Sequence, residues 1–429
     1  MENTTAPAEG VLDMLQRVPM WLLLLAAVTF VFGIIVLLYL GLFIAAKSNI
    51  PRPPRNSEKT YVTILPDGST SEPKPLSCWY DNHLALKEMA QKNQISPEEA
   101  YQVGDAEVFM SVVVPAYNEE ERLSGMLEEA VEFLQATYPQ PHSASTQEKG
   151  KSSKKSNGTT VTPQNPTPHA PRGWEILVVS DGSTDKTVET ALSFARSHQL
   201  SAHPPTPAGP WTSRAGPRTR SKSGPRSEPV PTHIPHGSIR VVTLEENRGK
   251  GGAVTHGMRH ARGAYVVFAD ADGASRFSDL GRLVEGCERV RDGKGRAVGI
   301  GSRAHLVGSE AVVKRSALRN LLMHSFHLLL RLLTPPATSA IKDTQCGFKL
   351  FTRASLPYIV PYMHSEGWIF DVEMLMLAES AGIPMAEVAI GWKEVKGSKL
   401  NVVWDSLGMA WGLAVLRAAW MTGVYRRDI

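Results

Sequence analysis

The sequence predicts an α/β fold on a parallel sheet behind one membrane-spanning helix, and three observations carry that prediction. Residues 108–114, 175–179, 239–244 and 264–269 are short, β-branched and almost wholly apolar, the composition of strands buried on both faces. Between them, residues 119–136, 185–197 and 251–262 have helical periodicity, and such alternation lays helices over a parallel sheet. Ahead of them all, residues 18–46 form a run of 29 residues without a charged side chain.

That run is long enough to cross a bilayer, since at ~1.5 Å per residue it exceeds the ~30 Å hydrocarbon core. A cleaved signal would have a shorter apolar stretch behind a basic start, whereas Glu2, Glu9 and Asp13 here outnumber Arg17. Lys47, Arg52 and Arg55 follow the run, so the positive-inside rule puts residues 1–17 in the lumen and the bulk of the chain in the cytosol. Residues 47–107 read as a Pro-rich linker and an N-terminal extension, 108–400 as the main α/β domain, and 401–429 as a membrane-proximal amphipathic segment.

Two stretches interrupt the α/β pattern. Residues 141–172 and 197–238 hold 14 of the 30 prolines and are otherwise rich in Ser, Thr, Lys and Arg, which is the composition of disordered insertions. Each carries a net charge of +4, equal to that of the whole chain, so the remainder sums to about −4 and a nucleic-acid partner loses its electrostatic support. Three cysteines, Cys78, Cys287 and Cys346, with no CxxC pair, suggest neither a disulfide framework nor a zinc site.

Ligands of open α/β sheets bind beyond the carboxyl ends of the strands, and the polar residues of this chain gather there. The first strand runs into Pro115-Ala116-Tyr117-Asn118-Glu119-Glu120, the second into Ser180-Asp181-Gly182, the third into Asn247-Arg248-Gly249-Lys250-Gly251-Gly252, the fourth into Asp270-Ala271-Asp272. Singly these read as turns, caps or solvated acids. Together they suit a nucleotide diphosphate, with glycines for backbone approach and Arg248 and Lys250 supplying positive charge. Asp270 and Asp272, one residue apart, can hold Mg²⁺ or Mn²⁺ through oxygen ligands.

These motifs resemble the GT-A glycosyltransferases of family 2. Within that family, residues 301–303, 343–349 and 367–373 are most similar to the dolichyl-phosphate β-glucosyltransferase branch, over roughly residues 108–400 without the insertions. The resemblance implies a Rossmann-like GT-A fold and inverting transfer of glucose from UDP-glucose to dolichyl phosphate at the cytosolic face of the endoplasmic reticulum. It also implies that Pro115, Tyr117, Glu119 and Asp181 surround the uridine and that Lys250 and Asp270 lie near the diphosphate. Asp270 and Asp272 would hold the metal, with Asp272 the more direct ligand. Asp343 and Asp371 match acidic positions facing donor sugar and acceptor. A dolichyl-phosphate mannosyltransferase using GDP-mannose and a non-catalytic GT-A membrane scaffold are the competing readings.

The acceptor's chemistry adds a requirement. A phosphate monoester is already anionic near neutral pH, so positioning and charge neutralisation matter more than deprotonation. Arg303 is the first candidate for the acceptor phosphate, with Arg315 and Arg319 next. A lipid acceptor also requires membrane contact, for which residues 318–333 and 404–421, apolar but interrupted by charge, are candidates alongside ordinary buried helices.

Overall fold

The computed structural model describes residues 19–139, 171–200, 210–211, 234–306, 325–326, 328–395 and 402–427. The chain forms two compact units, one from Met1–Ile50 and Ala414–Arg426, the other from Pro51–Leu413 and Arg427–Ile429. In the first, helix α1 (Met20–Ser48) extends two residues past the charge-free run and takes Lys47 into its last turn. Its apolar side chains, Trp21, Phe30, Phe32 and Leu38 among them, are exposed. Ala46 is the one buried residue of the helix, and its carbonyl accepts a hydrogen bond from Tyr425 Oη at 2.9 Å. At a rise of ~1.5 Å per residue the helix is about 43 Å long, enough to cross a membrane.

The second unit is built on a seven-stranded sheet: β1 (Val108–Ala116), β2 (Trp174–Asp181), β3 (Ile239–Leu244), β4 (Gly263–Ala269), β5 (Val298–Ser302), β6 (Phe348–Thr352) and β7 (Met385–Ala389), in the order β3-β2-β1-β4-β6-β5-β7. The first four strands are mutually parallel, as their composition predicts. Successive strands run outward from β1 in one direction and then from β4 in the other, so a topological switch point lies between β1 and β4. Strand β6 departs from the parallel pattern, pairing antiparallel with both β4 and β5. Its register sets Phe348 opposite Ala269 and Lys349 opposite Phe268, which brings the residues before β6 to the carboxyl end of β4.

Alternation along the strands fills two layers. Met110, Val112 and Val114 of β1 and Ile176 and Val178 of β2 bury against helix α2 (Leu123–Thr137), through Leu123, Leu127 and Val131, and against helix α3 (Thr187–Leu200), through Ala191 and Ala195. On the opposite face, Val113 and Val179 meet Gly257 of helix α4 (Gly249–Arg259). Helix α2 begins four residues later than the periodicity suggests, because residues 119–122 form a turn stabilised by Arg122 N to Glu119 O at 3.1 Å. The linker and extension are also ordered against the sheet. Val62 exchanges two 2.9 Å backbone hydrogen bonds with Val241, covering the open edge of β3, and Trp79 Nε1 donates to Met258 O at 2.7 Å.

The packing of α4 on the sheet makes Gly257 a sensitive position. A methyl group there would overlap Val113 Cγ1 and stand 3.1 Å from Val179 Cγ2. Helix propensity favours Gly257→Ala by about 1 kcal/mol, but overpacking a rigid sheet costs roughly 1–3 kcal/mol. The variant is therefore expected to unfold at a lower temperature than the parent, as read by thermal denaturation.

Candidate active site

Because β1 to β4 are parallel, their carboxyl ends lie along one edge of the sheet, and hydrogen bonds lace the turns there into a single floor. Asn118, held at φ 54°, accepts through Oδ1 from Thr184 N at 2.8 Å, while its own amide donates to Ser183 Oγ at 3.1 Å. Asp185 caps α3 by accepting from Thr187 N at 3.0 Å. Asp181 ends β2 buried, with Oδ1 accepting from Arg248 N at 2.7 Å. Burial pushes its carboxyl up to about 6, against the opposing pull of the Arg248 and Gly249 amides. Pro115 lies near the end of β1 and Tyr117 directly follows it, with its ring partly exposed.

Arg248 and Glu119 are engaged in ion pairs within the protein. Arg248 does not present its charge to open space: it pairs with Glu366 at 2.6 Å, lies 3.9 Å from Glu58 and donates to Arg52 O. Glu119 pairs through both carboxylate oxygens with Arg122, at 2.6 and 2.7 Å, and Arg122 Nη1 stands 4.0 Å from Asp272 Oδ2. The glycines beside Lys250 also serve protein contacts. A Cβ on Gly249, at φ +80°, would sit 2.6 Å from Glu366 O, and one on Gly251 2.6 Å from Phe370 Cβ.

Four carboxylates meet cations at this edge. Lys250 Nζ lies 2.6 Å from Asp270 Oδ1, short of hydrogen-bond alignment, and 6.0 Å from the Trp368 and Phe370 rings. Burial opposes its charge, yet Asp270 and Asp371 raise its pKa above the usual lysine value. Asp272 accepts from Ala274 N at 3.0 Å, and burial together with the neighbouring Asp270 charge raises its carboxyl. Arg303 binds Asp343 bidentately at 2.7 and 2.8 Å, its backbone amide adds a third contact at 2.8 Å, and the guanidinium lies 5.6 Å from the Trp392 ring centre. Burial alone would raise the Asp343 carboxyl, but Arg303 holds it below its ordinary value. Asp371, near the start of helix α5 (Phe370–Ser380), is buried against Lys349, which also donates to Cys346 O at 2.7 Å. Burial keeps the Asp371 carboxyl raised despite that lysine.

Asp270 and Asp272 are the residues able to hold a cation. They are hard oxygen donors on one turn, and their mutual repulsion is the condition a divalent ion relieves. Gly347 leaves room for the Asp270 carboxylate, which a Cβ there would overlap, and Asp270 N donates to Gly347 O at 3.2 Å. Among the described residues no group of three His, Cys, Asp or Glu side chains is placed to hold a metal. Arg315 and Arg319 lie outside the described residues, as does much of 318–333, where Phe326 and Leu330 are buried and Leu328 and Leu332 exposed. Lys349 and Arg122 had no role assigned from sequence. The signal for Lys349 was a lone charge inside the apolar run Phe348-Lys349-Leu350.

Comparison with known proteins bears on the same residues. The family model Glycosyl transferase family 2 matches residues 232–319. A Saccharomyces cerevisiae protein named dolichyl-phosphate beta-glucosyltransferase is 34% identical over 406 residues, covering 93% of this chain and 95% of that one. Its Drosophila melanogaster namesake is 38% identical, covering 74% and 77%. A crystal structure of glucosyl-3-phosphoglycerate synthase from Mycobacterium tuberculosis, in complex with Mn²⁺, UDP-glucose and phosphoglyceric acid, is 16% identical with a TM-score of 0.40, covering 72% of this chain and 80% of that one. The length and identity of these matches place this chain in the dolichyl-phosphate β-glucosyltransferase family of family 2 glycosyltransferases.

Proposed function

We propose that this chain transfers glucose from UDP-glucose to dolichyl phosphate, with inversion at the anomeric carbon, at the cytosolic face of the endoplasmic reticulum. One observation carries the proposal: Asp270, Asp272 and Lys250 converge at the switch point, with the Arg303–Asp343 pair on the same sheet edge. Kinship with enzymes named for this transfer supports the substrates. Helix α1 would anchor the protein, with Lys47, Arg52 and Arg55 keeping the larger unit in the cytosol. Residues 108–400 would form the catalytic domain, with 47–107 as its extension and 401–429 near the membrane.

Pro115, Tyr117, Glu119 and Asp181 would receive the uridine, with ionised Asp181 accepting the uracil N3–H. Lys250 would turn from Asp270 to the diphosphate. Asp270 and Asp272 would hold Mg²⁺ or Mn²⁺, which when bound neutralises charge on the leaving diphosphate. Asp371, fixed by Lys349, would face the sugar. Arg303, aligned by Asp343, would hold the acceptor phosphate, with Arg315 and Arg319 alongside. An acceptor oxygen then attacks C1 from the face opposite the diphosphate. The C1–O bond breaks with its electrons going to UDP, and no base is required because the acceptor is already ionised.

Three measurements test this reading. Membranes carrying the protein, given dolichyl phosphate, divalent cation and either labelled UDP-glucose or GDP-mannose, should place label in acid-labile lipid from UDP-glucose. Asp272→Asn should lower that transfer by about 10²-fold or more, the scale of losing one charge-stabilising group; label from GDP-mannose alone would overturn the donor. Arg303→Lys, which keeps charge but loses the fork, should lose roughly tenfold in kcat/KM for dolichyl phosphate and little for donor. Asp181, raised to about 6, is ionised above that pH and protonated below it. Donor affinity measured by nucleotide titration should therefore weaken as pH falls through about 6, and Asp181→Asn should flatten that limb.

A further inference from the structure

The two Pro-rich insertions contain a single tryptophan, Trp211, and with Pro210 it lies against the turn that carries Asp272. We propose that Trp211 is a positioning residue for the transfer reaction: its indole braces the 270–274 turn, bringing Pro210 and Trp211 into the working site. The proposal rests on the reading that Asp272 serves transfer.

The turn is bonded internally and to neighbouring segments. Gly273 adopts φ +69°, its amide donates to Asp270 O at 3.4 Å, and Asp272 Oδ1 takes the Ala274 amide. Trp211 Nε1 donates to Gly273 O at 3.1 Å, and Pro210 Cδ lies 3.5 Å from where a Cβ on Gly273 would stand. Two cations hold the indole: the Arg276 guanidinium at 4.5 Å from the ring centre and Lys393 Nζ at 4.2 Å. Lys393 also donates through Nζ to Pro210 O at 2.8 Å and through its amide to Ala274 O at 2.9 Å. Pro210 and Trp211 are thereby fastened to both sides of the Ser275–Trp392 bridge, and a displacement of the indole would reach Asp272 through one residue. Pro210 and Trp211 are tied to the backbone of the carboxylate turn itself.

The test compares the full-length protein in membranes with Trp211→Ala and Trp211→Phe, the latter keeping a ring for Arg276 and Lys393 while losing the N–H donor. Hydrogen exchange of peptides spanning 270–276 and the kcat and donor KM of transfer are read together. Trp211→Ala is expected to speed exchange in that segment and lower kcat by roughly tenfold with a smaller change in KM, because small misplacements of catalytic groups carry large rate losses. Trp211→Phe should fall between it and the parent. Protection of β1 and β2 peptides checks that both variants remain folded. Unchanged exchange at 270–276 in both variants, or unchanged kcat in a chain with measurable transfer, overturns the proposal. Absence of transfer in the parent would count against the functional reading instead, and the exchange comparison would still decide whether Trp211 braces the turn.

Discussion

Charge compensation in a confined space governs this sheet edge. Asp270, Asp272, Asp343 and Asp371 converge there, and each is set against a cation from a different part of the chain: Lys250, Arg122, Arg303 and Lys349. The pairs are not equivalent. Asp343 and Arg303 share three contacts under 3 Å, whereas among the described residues Asp272 has no ion pair closer than the 4.0 Å approach of Arg122, Lys250 acts on it from a greater distance, and burial and Asp270 raise its carboxyl. The carboxylate whose charge is least satisfied is the one where an added cation would gain most. A buried pair such as Lys349–Asp371 adds little net stability, yet removing one partner costs about 3–5 kcal/mol because the other charge is stranded. Such pairs fix position more than they hold the fold together.

The antiparallel strand β6 makes this convergence possible. Four parallel strands alone would deliver Asp181, Lys250, Asp270 and Asp272 to the edge. Reversing β6 between β4 and β5 starts it at that same edge, so residues 343–349 arrive beside Asp270 with Gly347 O accepting the Asp270 amide. Lys349 then stands opposite Phe268, inside the sheet, where its ammonium can reach Asp371 from below. A parallel β6 would carry the same residues to the far edge.

The parallel half of the sheet was legible in the sequence because strands buried on both faces leave continuous apolar runs, and its carboxyl ends could be read by their polar residues. Beta6 was not identified as a strand: Phe348–Thr352 is too short for periodicity to declare direction, and its polar neighbours read as a motif. Side-chain pairing was the least legible. Arg248 and Lys250 look equivalent in a glycine-rich loop, yet Glu58 and Glu366, from distant parts of the chain, claim only the first. The same limit applies to Glu119, whose partner Arg122 stands three residues away but is defined by the turn before α2.

Net charge shows why these local pairs matter for anionic substrates. The +4 of the chain is smaller than the +8 carried by the two insertions, so the rest is negative overall. A phosphate acceptor would meet an unfavourable field from that portion if charge acted at long range. Screening limits such a field to about 8 Å at physiological ionic strength, so the side chains lining the sheet edge decide the encounter. Lys250 and Arg303 are held there by Asp270 and Asp343, acids that keep each cation in place without an open site of bare positive charge. For Lys250, exchanging one anionic partner for another requires the side chain to turn rather than the sheet to move. Arg303 keeps a two-point grip on Asp343, which fixes the orientation of its guanidinium.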